Sequence, residues 1–156
     1  MTTEPRRRRV GEYHLTAQVE IDRPAALVWD LIADYRNDPR WRRGVSRMQP
    51  SPAGPVRVGT TTEESMRLAG KEYQNLGLVT AVQPGAHYEW RTTAGADASG
   101  SRTVTPVTED RSIFRLAVAA RVTGWQRVIG PLLAMMLRCN MSADGRKLKR
   151  LAEQEL

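Results

Sequence analysis

The residues of this chain best placed for chemistry are three polar side chains that fall within apolar patterns. Glu64 shares one face of a predicted strand with Met66 and Leu68, while Asn140 and Asp144 lie one turn apart on the apolar stripe of a predicted C-terminal helix. A polar group that faces a protein interior costs about 1–3 kcal/mol unless it is paired. These groups either pair with one another or with backbone, or Glu64 and Asn140 orient the polar end of a ligand.

The chain carries no complete catalytic motif. It lacks the G-x-S-x-G elbow, a Ser-His-Asp order and a Gly-rich phosphate loop followed by Lys-Ser or Lys-Thr. His14 and His87 fall out of register with the apolar positions around them, which predicts that both face outward. Glu64 is therefore the best candidate for a general base. Cys139 is expected to be a small buried residue rather than a nucleophile.

Cysteine and histidine usage excludes several kinds of structural site. A single cysteine cannot form an internal disulfide, and one cysteine with two histidines cannot build the usual four-cysteine or two-cysteine, two-histidine zinc sites. We therefore predict no bound metal, and we also predict no cofactor.

Length and charge predict one domain with a basic tail. A chain of 156 residues can bury a core without disulfides. The net charge is +7, and four positive charges form the run Arg6–Arg9, which we assign to a disordered tail over residues 1–9. Residues 10–156 then form a single domain. The longest apolar stretch, Val128–Leu137, is too short for a transmembrane helix and no signal peptide is visible, so we predict a cytoplasmic protein.

The apolar spacing predicts a sheet accompanied by helices. The stretch "YHLTAQVEID" alternates as a half-buried strand does, and Asp22 then begins a helix. A second short helix is predicted through Pro39 to Gly44, after the turn "RNDPR". About six strands follow from Val45 to Val122, with "AGADASGS" read as a flexible turn or strand edge, and one long amphipathic helix closes the chain. This order predicts an α+β fold with a curved antiparallel sheet.

Several segments resemble the START-like (SRPBCC) superfamily, in its polyketide cyclase/dehydrase and lipid-transport-like branch. They are "VEIDRPAALVWDLIADYRNDPRWRRGV", "VGTTTEE", "LVTAVQPGAHYEW" and "GPLLAMMLRCNMSADGRKLKRLAEQ", and the resemblance extends from about Val10 to Glu153. It implies a helix-grip fold: a curved seven-stranded antiparallel sheet wrapped around the long C-terminal helix, with two short helices after the first strand. It also implies an internal hydrophobic cavity that holds lipids, sterols, polyketides or other apolar molecules, and in some members cyclisation or hydrolysis.

The predicted register places a set of side chains on this cavity. Trp41, in the arginine-rich segment after the first helix, is expected to form a gate at the cavity mouth, although it could equally plug one end of the core. The other expected ligand-binding residues lie on strands or on the terminal helix. They are Glu64, Met66, Tyr88, Trp90, Phe114, Leu133, Met136 and Asn140.

Three functions remain open on the sequence. The leading one is binding of a small hydrophobic molecule, lipid-like or aromatic and polyketide-like, by a monomer or homodimer. The second is a polyketide aromatase/cyclase, with Glu64 as its candidate base. The third is a basic nucleic-acid or membrane-surface module that uses Arg6–Arg9 and the cluster Arg40–Arg43, although we expect no nucleic-acid partner because the rest of the chain carries an ordinary charge.

Overall fold

The computed structural model describes residues 11–155, so the predicted basic tail over residues 1–9 lies outside the described residues. The first strand, β1, covers Gly11–Ile21 and alternates as predicted, with Leu15 and Ile21 buried in the core. Two helices follow, α1 over Ala25–Ala33 and α2 over Asp38–Trp41, joined by a short 3₁₀ helix over Tyr35–Asn37. Because Pro24 cannot donate a backbone hydrogen bond, it suits the position at which α1 begins.

Six strands and one long helix complete the chain. The strands are β2 Val45–Ser51, β3 Thr61–Leu68, β4 Lys71–Gln83, β5 His87–Ala94, β6 Asp97–Thr108 and β7 Arg111–Val122, and the helix is α3 Gln126–Glu155. The strands form one antiparallel sheet in the order β1-β7-β6-β5-β4-β3-β2. Consecutive strands from β2 to β7 are therefore neighbours, as their short connections predicted. The predicted α+β class and seven-stranded sheet are confirmed.

The segment "AGADASGS", predicted as a flexible turn or a strand edge, is mostly strand. β6 begins at Asp97 and pairs with β7 from its first residue. The Asn75 side chain accepts a hydrogen bond from the backbone N–H of Ala96, and the Thr92 hydroxyl bridges the backbone of Ala98. The turn itself is confined to Gly95 and Ala96, with Gly95 at a φ of 92°, and the small residues from Asp97 onward belong to β6.

The helix α3 packs across the sheet, chiefly against β1, and its two halves differ. The second half buries Leu148 and Ala152 completely in the core. In the first half, Gly130 faces Tyr13 so closely that a Cβ atom would collide with the phenol ring. The helix thus meets the edge of the sheet at Tyr13 while its inner side spans open space, and this arrangement leaves room for a cavity.

Candidate functional site: a cavity between sheet and helix

A cavity of about 600 Å³ lies between the sheet and the first half of α3. Its outer end is bordered by exposed residues of the β3–β4 turn, the start of β6 and the segment between β7 and α3, such as Lys71, Asp97 and Thr123. Its inner end lies near α2, where the lining residues are buried. The middle is largely apolar, and its walls include Met66, Trp90, Leu116, Val118, Leu133 and Leu137.

Small residues on the sheet shape this space. Gly100 lies directly opposite Trp90 in the β5–β6 pairing, and a Cβ atom at Gly100 would collide with the indole ring. The missing side chain therefore allows Trp90 to lie close to the strand backbone instead of filling the cavity. Ala98 and Ala120 are also among the lining residues and contribute little volume. A larger side chain at Ala98 or Ala120 would occupy space that the structure leaves open.

A buried ion pair anchors the inner end of the cavity. The Arg102 guanidinium donates to both carboxylate oxygens of Asp38, over 2.8 Å from Nη1 and 2.6 Å from Nη2, and its Nη1 also donates to the carbonyl of Ile32. Asp38 is fully buried and Arg102 is 2% exposed. Burial alone would lower the pKa of Arg102, but the Asp38 carboxylate raises it well above its ordinary value. Arg102 therefore keeps its charge in the core, where the Asp38 carboxylate is its ion-pair partner.

Three aromatic rings enclose the same guanidinium. The Arg102 Cζ lies 4.9 Å from the ring centroids of Tyr35 and Trp41 and 5.7 Å from that of Tyr88. The Tyr88 hydroxyl donates to the carbonyl of Ile32, the acceptor that it shares with Arg102. Burial raises the pKa of Tyr35 to about 12. The rings are thus neutral faces that stabilise the cation, and they exclude water from the ion pair.

Arg42 links this ion pair to the cavity wall. Its Nη1 donates to Asp38 over 3.1 Å and to Glu64 over 2.5 Å, and the Asn75 amide donates to the other Glu64 oxygen over 3.0 Å. Burial by itself would raise the pKa of Glu64, but Arg42 and Asn75 outweigh burial and hold that pKa below its ordinary value. Glu64 is therefore an ionised member of the network, which runs from Arg102 through Asp38 and Arg42 to Asn75.

The α3 side of the inner end carries polar groups that are less constrained. Asp144 accepts one hydrogen bond, from the backbone N–H of Arg43 over 2.9 Å. Burial raises the pKa of Asp144, because that N–H and the neighbouring arginines compensate only in part. Asn140 lies one turn before Asp144, lines the cavity, and makes no side-chain hydrogen bond to any residue within 11–155. Both side chains keep hydrogen-bonding capacity on the cavity side.

The structure brings five of the predicted ligand-binding residues to the cavity and leaves four away from its wall. Glu64, Met66, Trp90, Leu133 and Asn140 line it. Tyr88 and Phe114 are buried in the core beyond the inner end, and Met136 is half-buried on α3 beside the wall.

Trp41 is not a gate at the mouth, because it is 0% exposed and packs edge-on against Phe114 with 5.7 Å between the ring centroids. The hydrophobic contacts of the core and the cation of Arg102 hold the indole inside. The three neighbouring arginines differ in their pairing. Arg42 is committed to Asp38 and Glu64, and Arg40 is paired with Glu155. Arg43 is exposed, and its side chain forms no ion pair with another residue of the range 11–155.

Two groups of this site were missed by the sequence interpretation. Arg102 occupies the inward register of β6, two residues after Gly100 and two before the buried Val104, so a charged residue in an apolar series was the available signal. Asp38 was read as turn chemistry before Pro39, and nothing local shows that its partner lies on β6. The side-chain alternation could have located Arg102, whereas the pairing required the three-dimensional structure.

The remaining candidates for chemistry lie away from the cavity. Cys139 is exposed, which corrects the expectation that it is buried, because it falls on the outward side of α3. His87 contacts the Thr103 hydroxyl at 2.7 Å and does not line the cavity. Within residues 11–155, no cluster of His, Cys, Asp and Glu is arranged to hold a metal ion. None of the helices described for this chain combines the length and apolarity that crossing a membrane requires.

The architecture matches solved structures of low sequence identity. The Zhui aromatase/cyclase from a Streptomyces species has a TM-score of 0.79 and 16% identity, covering 92% of this chain and 95% of that one. A START superfamily protein from Mycobacterium smegmatis has a TM-score of 0.77 and 12% identity, covering 94% and 100%. At these identities the similarity shows the fold alone. No curated protein sequence is significantly similar to this chain.

The family relationship rests on the sequence as well as on the fold. The profile of a family described as polyketide cyclase / dehydrase and lipid transport matches residues 12–153, which is nearly the whole chain. The resemblance to the START-like superfamily and the helix-grip fold are thereby confirmed. This protein belongs to the polyketide cyclase / dehydrase and lipid transport family.

Proposed function

We propose that this protein binds a small hydrophobic molecule, lipid-like or aromatic and polyketide-like, in the cavity between the sheet and α3. The observation that carries the proposal is the cavity itself: about 600 Å³ of space with an apolar middle and a polar inner end. Binding sites for small molecules usually have volumes of roughly 300–1,000 Å³ and few polar groups, so both properties fit. Membership of the family supports the same class of ligand.

The apolar body of the ligand occupies the middle of the cavity. Met66, Trp90 and Leu137 come from three different elements and face the same space. Apolar contact there removes ligand surface from water, at about 25 cal/mol for each Å² that is buried. Methionine adapts to ligands of different shape, and the indole of Trp90 offers a flat face to a ring. These side chains favour an apolar ligand without selecting one structure.

The polar end of the ligand lies against α3. A ligand hydroxyl can donate to the Asp144 carboxylate and accept from the Asn140 amide, and both groups have unused hydrogen-bonding capacity. Glu64 offers less, because Arg42 and Asn75 already occupy its two oxygens. A carboxylate ligand would be repelled by Asp144 wherever that group is ionised. The arrangement therefore favours a neutral, hydroxyl-bearing ligand.

Filling the cavity tests the proposal. Leu137→Trp places an indole in the apolar middle, while Leu132→Trp places the same ring on the outward side of the same helix, where Leu132 is 54% exposed. The probe is 1-naphthol, with binding followed by its fluorescence and by calorimetry. We expect Leu137→Trp to abolish binding and Leu132→Trp to leave it unchanged. Equal affinity in both variants, with both folded by circular dichroism, would contradict binding in this cavity.

A second candidate function, an aromatic polyketide cyclase, is favoured by the state of Asp144. Its raised pKa and cavity-facing position suit proton transfer, whereas the lowered pKa of the paired Glu64 makes that residue a weaker base. A turnover assay with a linear aromatic polyketide precursor distinguishes the functions. Conversion that is lost in Asp144→Asn supports the enzyme, and binding without conversion of such precursors argues against it.

A further inference from the structure

The first half of α3 carries a second apolar surface on the side away from the cavity. Its residues are Trp125, in the turn just before α3, and Val128, Leu132 and Met135 on the helix, here together called the outer stripe, and they are 71%, 84%, 54% and 57% exposed. Their spacing of three, four and three residues places them on one side of the helix. Scattered exposed apolar residues are ordinary on a protein surface, but a contiguous series indicates a contact surface.

The charge around the outer stripe is positive and unpaired. From Arg111 to Ala143 the sequence contains no aspartate or glutamate. Arg127 and Arg138 lie beside the stripe, and Arg146 and Arg150 continue the same side along the second half of α3. All four are exposed, and none forms an ion pair with another residue of the described range 11–155. The next carboxylate along the helix, Asp144, faces inward.

This charge pattern distinguishes between possible occupants of the surface. If two copies of the chain paired through their outer stripes, the bordering arginines would approach one another without a carboxylate between them. An anionic phospholipid surface offers what the pattern lacks, since it presents phosphate groups beside an apolar layer. Helices that lie in a membrane interface combine apolar residues such as Trp and Leu on one side with flanking arginines or lysines.

We propose that the outer stripe docks this protein onto an anionic phospholipid bilayer. Trp125, Val128 and Leu132 enter the interface between headgroups and acyl chains, and Arg127 and Arg138 contact lipid phosphates. Thr123 and Gln126, on either side of Trp125, border the outer end of the cavity. Docking therefore brings that opening to the lipid surface. The inference rests on the outward side of α3 and holds whether or not the proposed ligand is correct.

Co-sedimentation with vesicles tests this docking surface. The full chain is mixed with vesicles of phosphatidylcholine alone or of phosphatidylcholine with phosphatidylglycerol. We expect binding to the anionic vesicles only, reduced about tenfold or more by Val128→Ser with Leu132→Ser, because apolar burial is lost. The matched control, Val58→Ser with Val107→Ser, changes two exposed apolar residues elsewhere and should bind as the parent does. No binding by the parent chain, or equal losses in both double variants, would overturn the proposal.

A second set of variants tests which arginines contribute to vesicle binding. Each of Arg127→Gln and Arg138→Gln should weaken anionic vesicle binding about fivefold, while Arg91→Gln on β5 should have little effect. Replacing Arg6–Arg9 by glutamines in the full chain separates the tail. If that variant alone abolishes binding and the outer-stripe variants do not weaken it, the proposal is wrong. Sedimentation velocity without lipid tests whether a second copy of the chain occupies the outer stripe instead. A dimer that dissociates in Leu132→Ser would assign the stripe to a second copy and overturn the proposal.

Discussion

The two sides of the cavity's inner end hold carboxylates whose pKa values are shifted in opposite directions. On the strand side, Glu64 belongs to a closed network in which every carboxylate has an arginine partner, and its pKa is lowered. On the helix side, Asp144 has one backbone donor and a raised pKa, and Asn140 has no protein partner within the described part of the chain. Polar groups in an interior can thus serve the scaffold or remain open to a ligand, and their partners distinguish the two roles.

The largest expected difference between the two sides is in stability. Asp38→Asn removes the charge that neutralises Arg102 and Arg42, and breaking a buried ion pair in this way should cost about 3–5 kcal/mol of the free energy of unfolding. Urea denaturation measures it. The control Glu20→Gln breaks an exposed pair with Arg111 and should cost less than about 1 kcal/mol. Equal costs would mean that the network does not stabilise the inner end.

A smaller effect is expected on ligand affinity. Asn140→Ala should weaken 1-naphthol binding about two- to tenfold, which corresponds to the loss of one hydrogen bond, and should leave 1-methylnaphthalene binding unchanged. Glu64→Gln should change the affinity for 1-naphthol less, because Glu64 is occupied by Arg42 and Asn75. Calorimetry with 1-naphthol and with 1-methylnaphthalene measures these changes in affinity. A larger loss from Glu64→Gln than from Asn140→Ala would reverse the assignment of the two sides.

The smallest expected effect is on the pH dependence of stability, and its sign differs between the two carboxylates. Because the folded-state pKa of Glu64 lies below its ordinary value of 4.5, its contribution is present above pH 4.5 and is lost as the pH falls through the folded value. The folded-state pKa of Asp144 lies above 3.8, so its contribution is present below pH 3.8 and is lost as the pH rises through the folded value.

Urea denaturation between pH 3 and 6 checks these signs. On acidification, the parent chain should lose stability relative to Glu64→Gln and gain stability relative to Asp144→Asn. Either difference with the opposite slope would show that the partners identified here do not control that carboxylate.

Much of this arrangement is readable from local patterns. The two-residue period of β3 places Glu64 beside Met66, and helical spacing places Asn140 and Asp144 on the inner side of α3, so all three could be assigned to the interior. The charge network could not be assigned, because Asp38 and Arg102 meet only through the folding of a turn against β6. Long-range pairing of this kind leaves no spacing signal in the sequence.

Trp41 shows the limit of local charge as a guide. The adjoining Arg40 and Arg42 suggest an exposed segment, yet their partners are Glu155 at the end of α3 and Glu64 on β3. With these two charges paired elsewhere, the indole between them is completely buried in the hydrophobic core. Since the partners cannot be read from neighbouring residues, a cavity gate and a core plug have the same local sequence.

The most direct test of the central claim uses the side-chain amides of the chain's three asparagines, Asn37, Asn75 and Asn140. In ¹⁵N-labelled protein each amide gives its own pair of NMR signals, and Asn→Ala variants assign them. On titration with 1-naphthol, a ligand whose polar end lies against α3 should shift the Asn140 signals and leave those of Asn37 and the Glu64-bound Asn75 nearly unchanged. Saturable binding that shifts Asn75 and leaves Asn140 unmoved would contradict the account.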